Sequence, residues 1–253
     1  MDAGTNAGLR SPYPYRRVPQ YPTKEPTTMR ATILLGLTLI SASIHAQWSA
    51  DPAAPMVLCN APGDQFRPEV TPDGAGGWYC FWSDDRNTDT GLYGQHLDAD
   101  GHALWAANGQ LIASVPGRVI ARCAPVLLDD GSVIVSYTVT NTNNGTAVIE
   151  AVRLDGDGSA IWPAPVVVAH WGPSALGEVR IFDQLCGMRS GPDAVFAWMY
   201  INTSLNRSYA YERIAPDGST QFGSPGRGVP NSGHERLMIL DDGAGGTLFT
   251  WNA

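Results

Sequence analysis

The stretch Asp73-Gly74-Ala75-Gly76-Gly77-Trp78-Tyr79-Cys80-Phe81-Trp82-Ser83-Asp84-Asp85-Arg86 holds, in order, a glycine-rich turn, an apolar aromatic run and a charged exit. Aspartate followed by glycines supplies the positive φ that a tight hairpin demands, which glycine adopts without steric cost. The run from Trp78 to Trp82 is apolar at consecutive positions instead of alternating. Such a strand needs both of its faces covered, as in the middle of stacked sheets.

Working outward, this stretch is the centre of a template from Phe66 to Gly117: a Pro-containing strand, the turn, the aromatic strand, a polar loop, a third strand, then a second Asp-Gly and a large aromatic. The template recurs, and its landmarks keep their spacing. Aromatic strand ends fall at Trp82, Tyr137, Trp198 and Trp251, which are 55, 61 and 53 residues apart. The second turn recurs as Asp100-Gly101, Asp157-Gly158 and Asp217-Gly218, and Trp105, Trp162 and Phe222 each stand four residues after the glycine. First-hairpin turns are Asp129-Asp130-Gly131, Gly191-Pro192-Asp193 and the run from Asp242 to Gly246. Third strands at 92–97, 147–154 and 209–214 interleave polar with apolar residues and are expected to be outer and half-exposed.

Four short strands in roughly 50 to 60 residues, radially repeated, is the economy of a propeller, which closes with about 4 to 8 blades. The expected fold is therefore all-β: an incomplete β-propeller of about three and a half four-stranded blades, with a β-sandwich as the competing arrangement. The repeats are placed at 66–117, 118–173 and 174–233, with a truncated fourth at 234–253 and a lead-in at 47–65. Half a blade at one end would leave apolar edges open, so self-association through blade edges is expected.

The run from Asp73 to Arg86, continued by Leu92-Tyr93-Gly94-Gln95-His96-Leu97-Asp98-Ala99-Asp100-Gly101-His102-Ala103-Leu104-Trp105 and Asn108-Gly109, resembles the blade repeat of large secreted bacterial β-propeller proteins. The likeness is close in the first repeat and looser in the others, where Thr138-Val139-Thr140-Asn141 and Met199-Tyr200-Ile201-Asn202 replace the Ser-Asp-Asp-Arg element. It implies a surface or extracellular location. The C-terminal sorting domain that often ends such proteins has no counterpart in this sequence.

The N-terminal residues agree with export. Met29 and Arg30 precede the apolar run from Ala31 to Ile40, and small residues then lead to Ala46, so 29–46 reads as a signal peptide with the mature start at Gln47. The apolar run is too short to span a bilayer, which takes about 20 residues. No transmembrane segment is expected in the mature chain. Residues 1–28, rich in Pro and Tyr without apolar periodicity, read as a non-structural upstream extension.

After residue 46 the chain carries eleven basic and 22 acidic residues, a net charge of −11. Nucleic acid is disfavoured as a partner, because that affinity rests on clustered Lys and Arg. Cys59, Cys80, Cys123 and Cys186 contain no C-x-x-C. They stand either as buried free thiols or with one structural disulfide, of unassigned pairing.

Candidate functional residues are few. Asp84, Asp85 and Arg86 leave the aromatic strand and could bind a polar ligand, the alternative being an ion pair or Asx-turn that holds the loop. Asp98 and Asp100, flanked by His96 and His102, resemble the oxygen-rich start of a calcium loop, yet the third repeat has Ala215-Pro216 there and the bidentate Glu is missing. A turn stapled by its own aromatic is the plainer reading, and neither metal nor cofactor is expected. Trp82, Trp105, Tyr137, Trp162, Trp198 and Trp251 fall at repeat positions and are assigned to the core, with sugar stacking as the alternative. Trp48 and Trp171 stand outside the pattern, and Asn144, Asn202 and Asn206 head glycosylation sequons read as chance.

The sequence contains no Gly-x-Ser-x-Gly, His-Glu-x-x-His, phosphate loop or dinucleotide fingerprint. A repeated architecture without a repeated reactive group points to a secreted or surface module for binding or scaffolding, its partner an unidentified glycan, peptide or protein. The alternative is part of a secreted propeller hydrolase acting on glycans, with acid and base drawn from different blades.

Overall fold

The computed structural model describes residues 53, 55–141, 143, 146–171, 181–201, 207–229 and 236–251, with the backbone alone for 171, 181–183 and 201. All belong to the second of two compact units, Ile44–Ala253. The upstream extension, the signal peptide, Trp48 and the three sequon asparagines lie outside the described residues, as does the ring of Trp171.

Every described element is a strand. The first blade is the antiparallel meander β1 (Gln65–Pro72), β2 (Trp78–Asp84), β3 (Gly91–Leu97) and β4 (Gln110–Ala113). The second is β5 (Val119–Leu127), β6 (Val133–Thr140), β7 (Ala147–Leu154) and β8 (Val166–Trp171). The third is β9 (Ile181–Ser190), β10 (Asp193–Ile201), β11 (Arg207–Ile214) and β12 (Arg227–Val229), and β13 (Met238–Asp241) with β14 (Thr247–Thr250) forms a two-stranded sheet. First strands of successive blades lie side by side, β1 against β5, β5 against β9 and β9 against β13. This is an incomplete β-propeller whose first strands are innermost. Among the described residues no helix is long and apolar enough to cross a membrane.

The second strands show why apolar runs were needed. Along β6, Val133, Val135 and Tyr137 pack with Tyr79, Phe81 and Trp105 of the first blade. Ile134, between them in sequence, packs with Phe196 and Trp198 of the third. Residue alternation puts successive side chains on opposite faces, so a strand sandwiched between two blades must be apolar at every position. On β10, Ala194, Phe196 and Trp198 face the second blade, while Val195, Ala197 and Met199 join Leu237 and Ile239.

The third strands are not outermost, since the fourth strands lie outside them. β7 and β11 alternate buried with half-buried residues, as their interleaved sequences imply, but β3 is buried along its whole length. The polar residues that suggested exposure serve internal hydrogen bonds. Gln95 Oε1 accepts from the amides of His96 (3.0 Å) and Trp105 (2.8 Å), and its Nε2 donates to Ala106 O (2.8 Å). Glu212, at the same place in the third blade, accepts through Oε1 from the amides of Arg213, Gln221 and Phe222.

In the first two repeats the aromatic after the second turn does not staple its own turn; it staples the next blade's. Trp105 Nε1 donates to Gly156 O and Trp162 Nε1 to Pro216 O, both at 2.9 Å. Gly158 makes room, since a Cβ there would sit 2.9 Å from the Trp105 ring. The residue near the end of each third strand points the same way: His96 Nδ1 lies 3.1 Å from Gly156 O, Arg153 Nη1 donates to Pro216 O (2.7 Å) and Arg213 Nη2 to Gly245 O (2.8 Å). Within its own blade each meets an acid of the first hairpin, as Asp73–His96, Asp130–Arg153 and Asp193–Arg213. Trp105→Phe removes one inter-blade hydrogen bond while His96 still faces the same carbonyl. The expected loss in a urea melt is about 1 to 2 kcal/mol; an unchanged midpoint would show that the seam contributes nothing.

Candidate functional site

The charged exit of β2 is a closed network. Asp84 is 0% exposed and accepts from Trp82 Nε1 (2.9 Å), from the Arg86 amide (2.9 Å) and from the Arg86 guanidinium through Nε (2.9 Å) and Nη2 (2.5 Å). Arg86 Nη2 also donates to Asn108 O (2.8 Å) and lies 3.3 Å from Cys59 Sγ, and the guanidinium carbon sits 3.9 Å over the Tyr93 ring. Burial pushes the Asp84 carboxyl up, but the hydrogen bonds from Arg86 and Trp82 outweigh it and hold the group below the usual carboxylate range. Asp85 is exposed, its Oδ1 accepting from the Asp64 amide at 2.5 Å. Asp84 and Arg86 thus spend their bonding capacity inside the first blade, and Asp85 ties the loop to the start of β1.

Asp98, Asp100 and His102 bring one ligand atom each within 4.8 Å of one another. Asp98 Oδ1 already caps the turn, accepting from the amides of Asp100 (2.9 Å) and His102 (2.8 Å), with its Oδ2 3.1 Å from His102 Nδ1. Asp155 and Asp242 cap their turns in the same manner. A turn aspartate recurs because it satisfies two amides that the reversal would otherwise leave unpaired.

All four cysteines carry free thiols. Burial raises the Cys80 thiol to about 11 and the Cys186 thiol to about 12, and Cys123 is pushed higher still. The thiols of Cys80, Cys123 and Cys186 are therefore protonated and unreactive.

Of the patterned aromatics, Trp82, Trp105, Tyr137, Trp162 and Trp198 are buried, and Trp251 is half-buried with its ring 6.3 Å from that of Tyr209.

A set of residues not singled out from the sequence lies on the innermost strands. Arg67, Arg122, Gln184 and Arg236 are 55, 62 and 52 residues apart, within one residue of the spacing of the aromatic landmarks. In the first three blades this residue falls in a bulge of the first strand, between Phe66 and Glu69, between Ile120 and Cys123, and between Phe182 and Leu185. A bulge places two residues opposite one and re-aims a side chain, and bulges gather beside sites. Arg67 and Arg236 also share a left-handed backbone, φ 54° and 61°, uncommon for a residue with a Cβ.

These residues reach across the blade seams. Arg67 Nη1 donates to Ala121 O at 2.9 Å, and Gln184 Oε1 accepts from the Leu237 amide at 2.6 Å. Arg122, Gln184 and Arg236 line one cavity of about 260 Å³ with Leu185, Cys186, Leu237 and Met238. Glu69, two residues past Arg67, feels the Arg122 charge; burial raises its carboxyl and Arg122 pulls it back in part. A larger cavity of about 590 Å³ opens at the opposite ends of the first strands. Its charges are used internally, Asp73 by His96 and Arg189 by Asp129. The bulge cavity is lined by two arginines and a glutamine beside an apolar wall, the mixture of groups expected of a ligand site.

No family model matches this chain, and no curated protein matches it. Among solved structures it is similar to the endo-arabinase from Bacteroides thetaiotaomicron VPI-5482, with 13% identity, a TM-score of 0.49, and coverage of 75% of this chain and 70% of that one. The blades are defined by the hydrogen-bonded sheets of this chain itself.

Proposed function

We propose that this chain is an exported propeller module that binds a ligand over the inner-strand bulges of its blades. One observation carries the reading: one inner-strand repeat position bears Arg67, Arg122, Gln184 and Arg236, hydrogen-bonding groups that in the first three blades fall where strand pairing is interrupted. The positions equivalent to Glu69 are Ala124, Cys186 and Met238, so the repeat multiplies donors and not carboxylates. Glycosidic hydrolysis works with two carboxylates about 5 to 9.5 Å apart. Among the described side chains this donor-rich set holds one acid, Glu69, which favours holding a ligand over acid–base chemistry. The signal peptide reading of 29–46 supports an extracellular setting, where glycans are the abundant partners.

The test is binding of the exported chain to immobilised glycans and peptides, alongside Arg122→Gln. Retention by the native chain and a loss of about tenfold or more in the variant, with a cooperative melt retained, is the expected result. Release of reducing sugar from a glycan, abolished by Glu69→Gln, would instead establish the hydrolase.

A further inference from the structure

Gln95 of the first blade and Glu212 of the third stand in matching surroundings, 117 residues apart. The amides of His96 and Trp105 donate to Gln95 Oε1, and those of Arg213 and Phe222, each 117 residues on, donate to Glu212 Oε1. Beside each lies a short turn whose first carbonyl takes the amide of its last residue, Ala106 O from Gly109 at 2.9 Å and Gly223 O from Gly226 at 2.6 Å. The two frames differ at one atom. Gln95 Nε2 donates to Ala106 O at 2.8 Å, whereas Glu212 Oε2, wholly enclosed, has no hydrogen-bond partner among the described residues. By the repeat, the counterpart of Ala106 O is Gly223 O, and two acceptors cannot bond without a hydrogen between them. The second blade has Val152 at this place, so a blade folds without a polar group there.

The charged groups on the neighbouring elements are engaged elsewhere. Glu212 shares its face of β11 with Ala210 and Ile214, against the apolar side of the second blade, and Phe196 is its neighbour across β10. Asp193 of β10 pairs with Arg213, Tyr200 of β10 stands opposite Ser208, and Arg227 of β12 lies over the Phe222 ring. Asp217 accepts from Ser219 within its own turn. In the second blade Arg153 is held by Asp130 and Pro216 O, Glu150 accepts from the Tyr137 hydroxyl, and His170 is exposed. Burial raises the Glu212 carboxyl, and the amides of Phe222, Arg213, Gln221 and Gly223 pull it back only in part.

We infer that Glu212 is a carboxylic acid in the folded chain, its Oε2–H donating to the Gly223 carbonyl, and that it latches residues 219–226 to β11 in a pH-dependent manner. The proton removes a buried charge and supplies the donor that Gln95 carries as an amide. When that proton goes to solvent, the carboxylate relieves its burial by reaching water, which requires 219–226 to swing off β11. The same segment carries the Gln221 and Phe222 amides and leads into the three-residue β12. A carboxyl raised above its unfolded value of about 4.3 stabilises fully below that pH, and the stabilisation is lost as pH rises through the folded value. The outer part of the third blade should therefore loosen as pH rises, while the first blade, with Gln95, should not.

The experiment is amide hydrogen exchange at Gln221 and Phe222 in the whole exported chain and in Glu212→Gln, which copies the first blade. Comparison at equal pH cancels the base catalysis of exchange itself. At about pH 4 the two should exchange alike, and at about pH 8 the native chain should exchange about tenfold or more faster, with the His96 and Trp105 amides alike in both. Infrared spectra give a second reading. At about pH 5, where an ordinary glutamate is mostly ionised, the native chain should show a protonated-acid carbonyl stretch that Glu212→Gln and Glu212→Val both lack. Glu212→Val, which carries the second blade's residue, keeps this comparison available should the amide variant fail to fold. Native exchange no faster than that of Glu212→Gln at about pH 8, or a spectrum that neither substitution changes, would show the carboxylate ionised in place and overturn the latch.

Discussion

Asp84→Ala should destabilise the chain by about 3 to 5 kcal/mol, the loss seen when one partner of a buried ion pair is removed. The carboxylate is wholly enclosed, and the Arg86 side chain is 15% exposed. Alanine would leave that guanidinium and the Trp82 indole N–H without the acceptor they share. Urea melts at neutral pH measure the effect. They also carry a pH signature. The folded Asp84 carboxyl lies below its unfolded value of about 3.9, so its stabilisation is present above that pH and lost as pH falls through the folded value. The gap between native protein and variant should therefore narrow below about pH 4. A loss under about 1 kcal/mol at neutral pH would mean that Arg86 has adequate partners without the carboxylate.

Trp82→Ala should cost about 3 to 5 kcal/mol as well, through the cavity it leaves. The ring is 3% exposed and packs with Tyr93, Leu97 and Cys80. It also lies under Gly109, where a Cβ would come within 2.4 Å of the ring edge. The third blade repeats the arrangement with Trp198 and Gly226, whose Cβ would meet the ring at 2.6 Å. The second blade, with the smaller Tyr137, has Val166 at the glycine's repeat position and sends the Tyr137 hydroxyl to Glu150 at 3.0 Å. Large ring and bare backbone go together. Asp85→Ala, on the exposed loop, should cost under about 1 kcal/mol. Trp82→Ala and Asp84→Ala should fall short of additivity, because Trp82 Nε1 donates to Asp84 Oδ2. Equal and small losses for Trp82→Ala and Asp85→Ala would place the indole at the surface and restore sugar stacking as its role.

What was legible in the sequence was local. Glycines with positive φ at Gly74, Gly101, Gly158 and Gly218 announce their turns, because few other residues adopt that backbone. The doubly covered strands announce themselves by lacking alternation. The carbonyl that Trp105 meets lies 51 residues away on another blade, and nothing near Trp105 specifies it. The buried state of β3 was hidden for the same reason: Gln95 looks like a surface residue until the amides of Trp105 and His96 are placed against it. The bulge set left a partial trace: Arg67, Arg122 and Arg236 each stand 15 residues before Trp82, Tyr137 and Trp251, while the third repeat has Asp183 there and Gln184 one place later. Nothing local marks these positions as bulges, because a bulge is defined by pairing with another strand.

The seam formed by each indole and the following blade's carbonyl has a hereditary consequence. A tandem duplication of one whole period carries both halves of the joint, so a copy of 118–173 inserted in series offers its Gly156 carbonyl backwards and its Trp162 indole forwards. The duplicated gene needs no compensating substitution to dock its new segment. Phe222, which has no N–H to donate and packs instead on Tyr211 and Arg227, ends that arrangement in the third repeat. Copies inserted before the third repeat inherit an indole's hydrogen-bonded joint on both sides, whereas a copy of the third repeat passes forward only the arginine's, from Arg213 to the Gly245 carbonyl. Lineages of this protein should therefore have gained and lost blades most freely from the first two repeats.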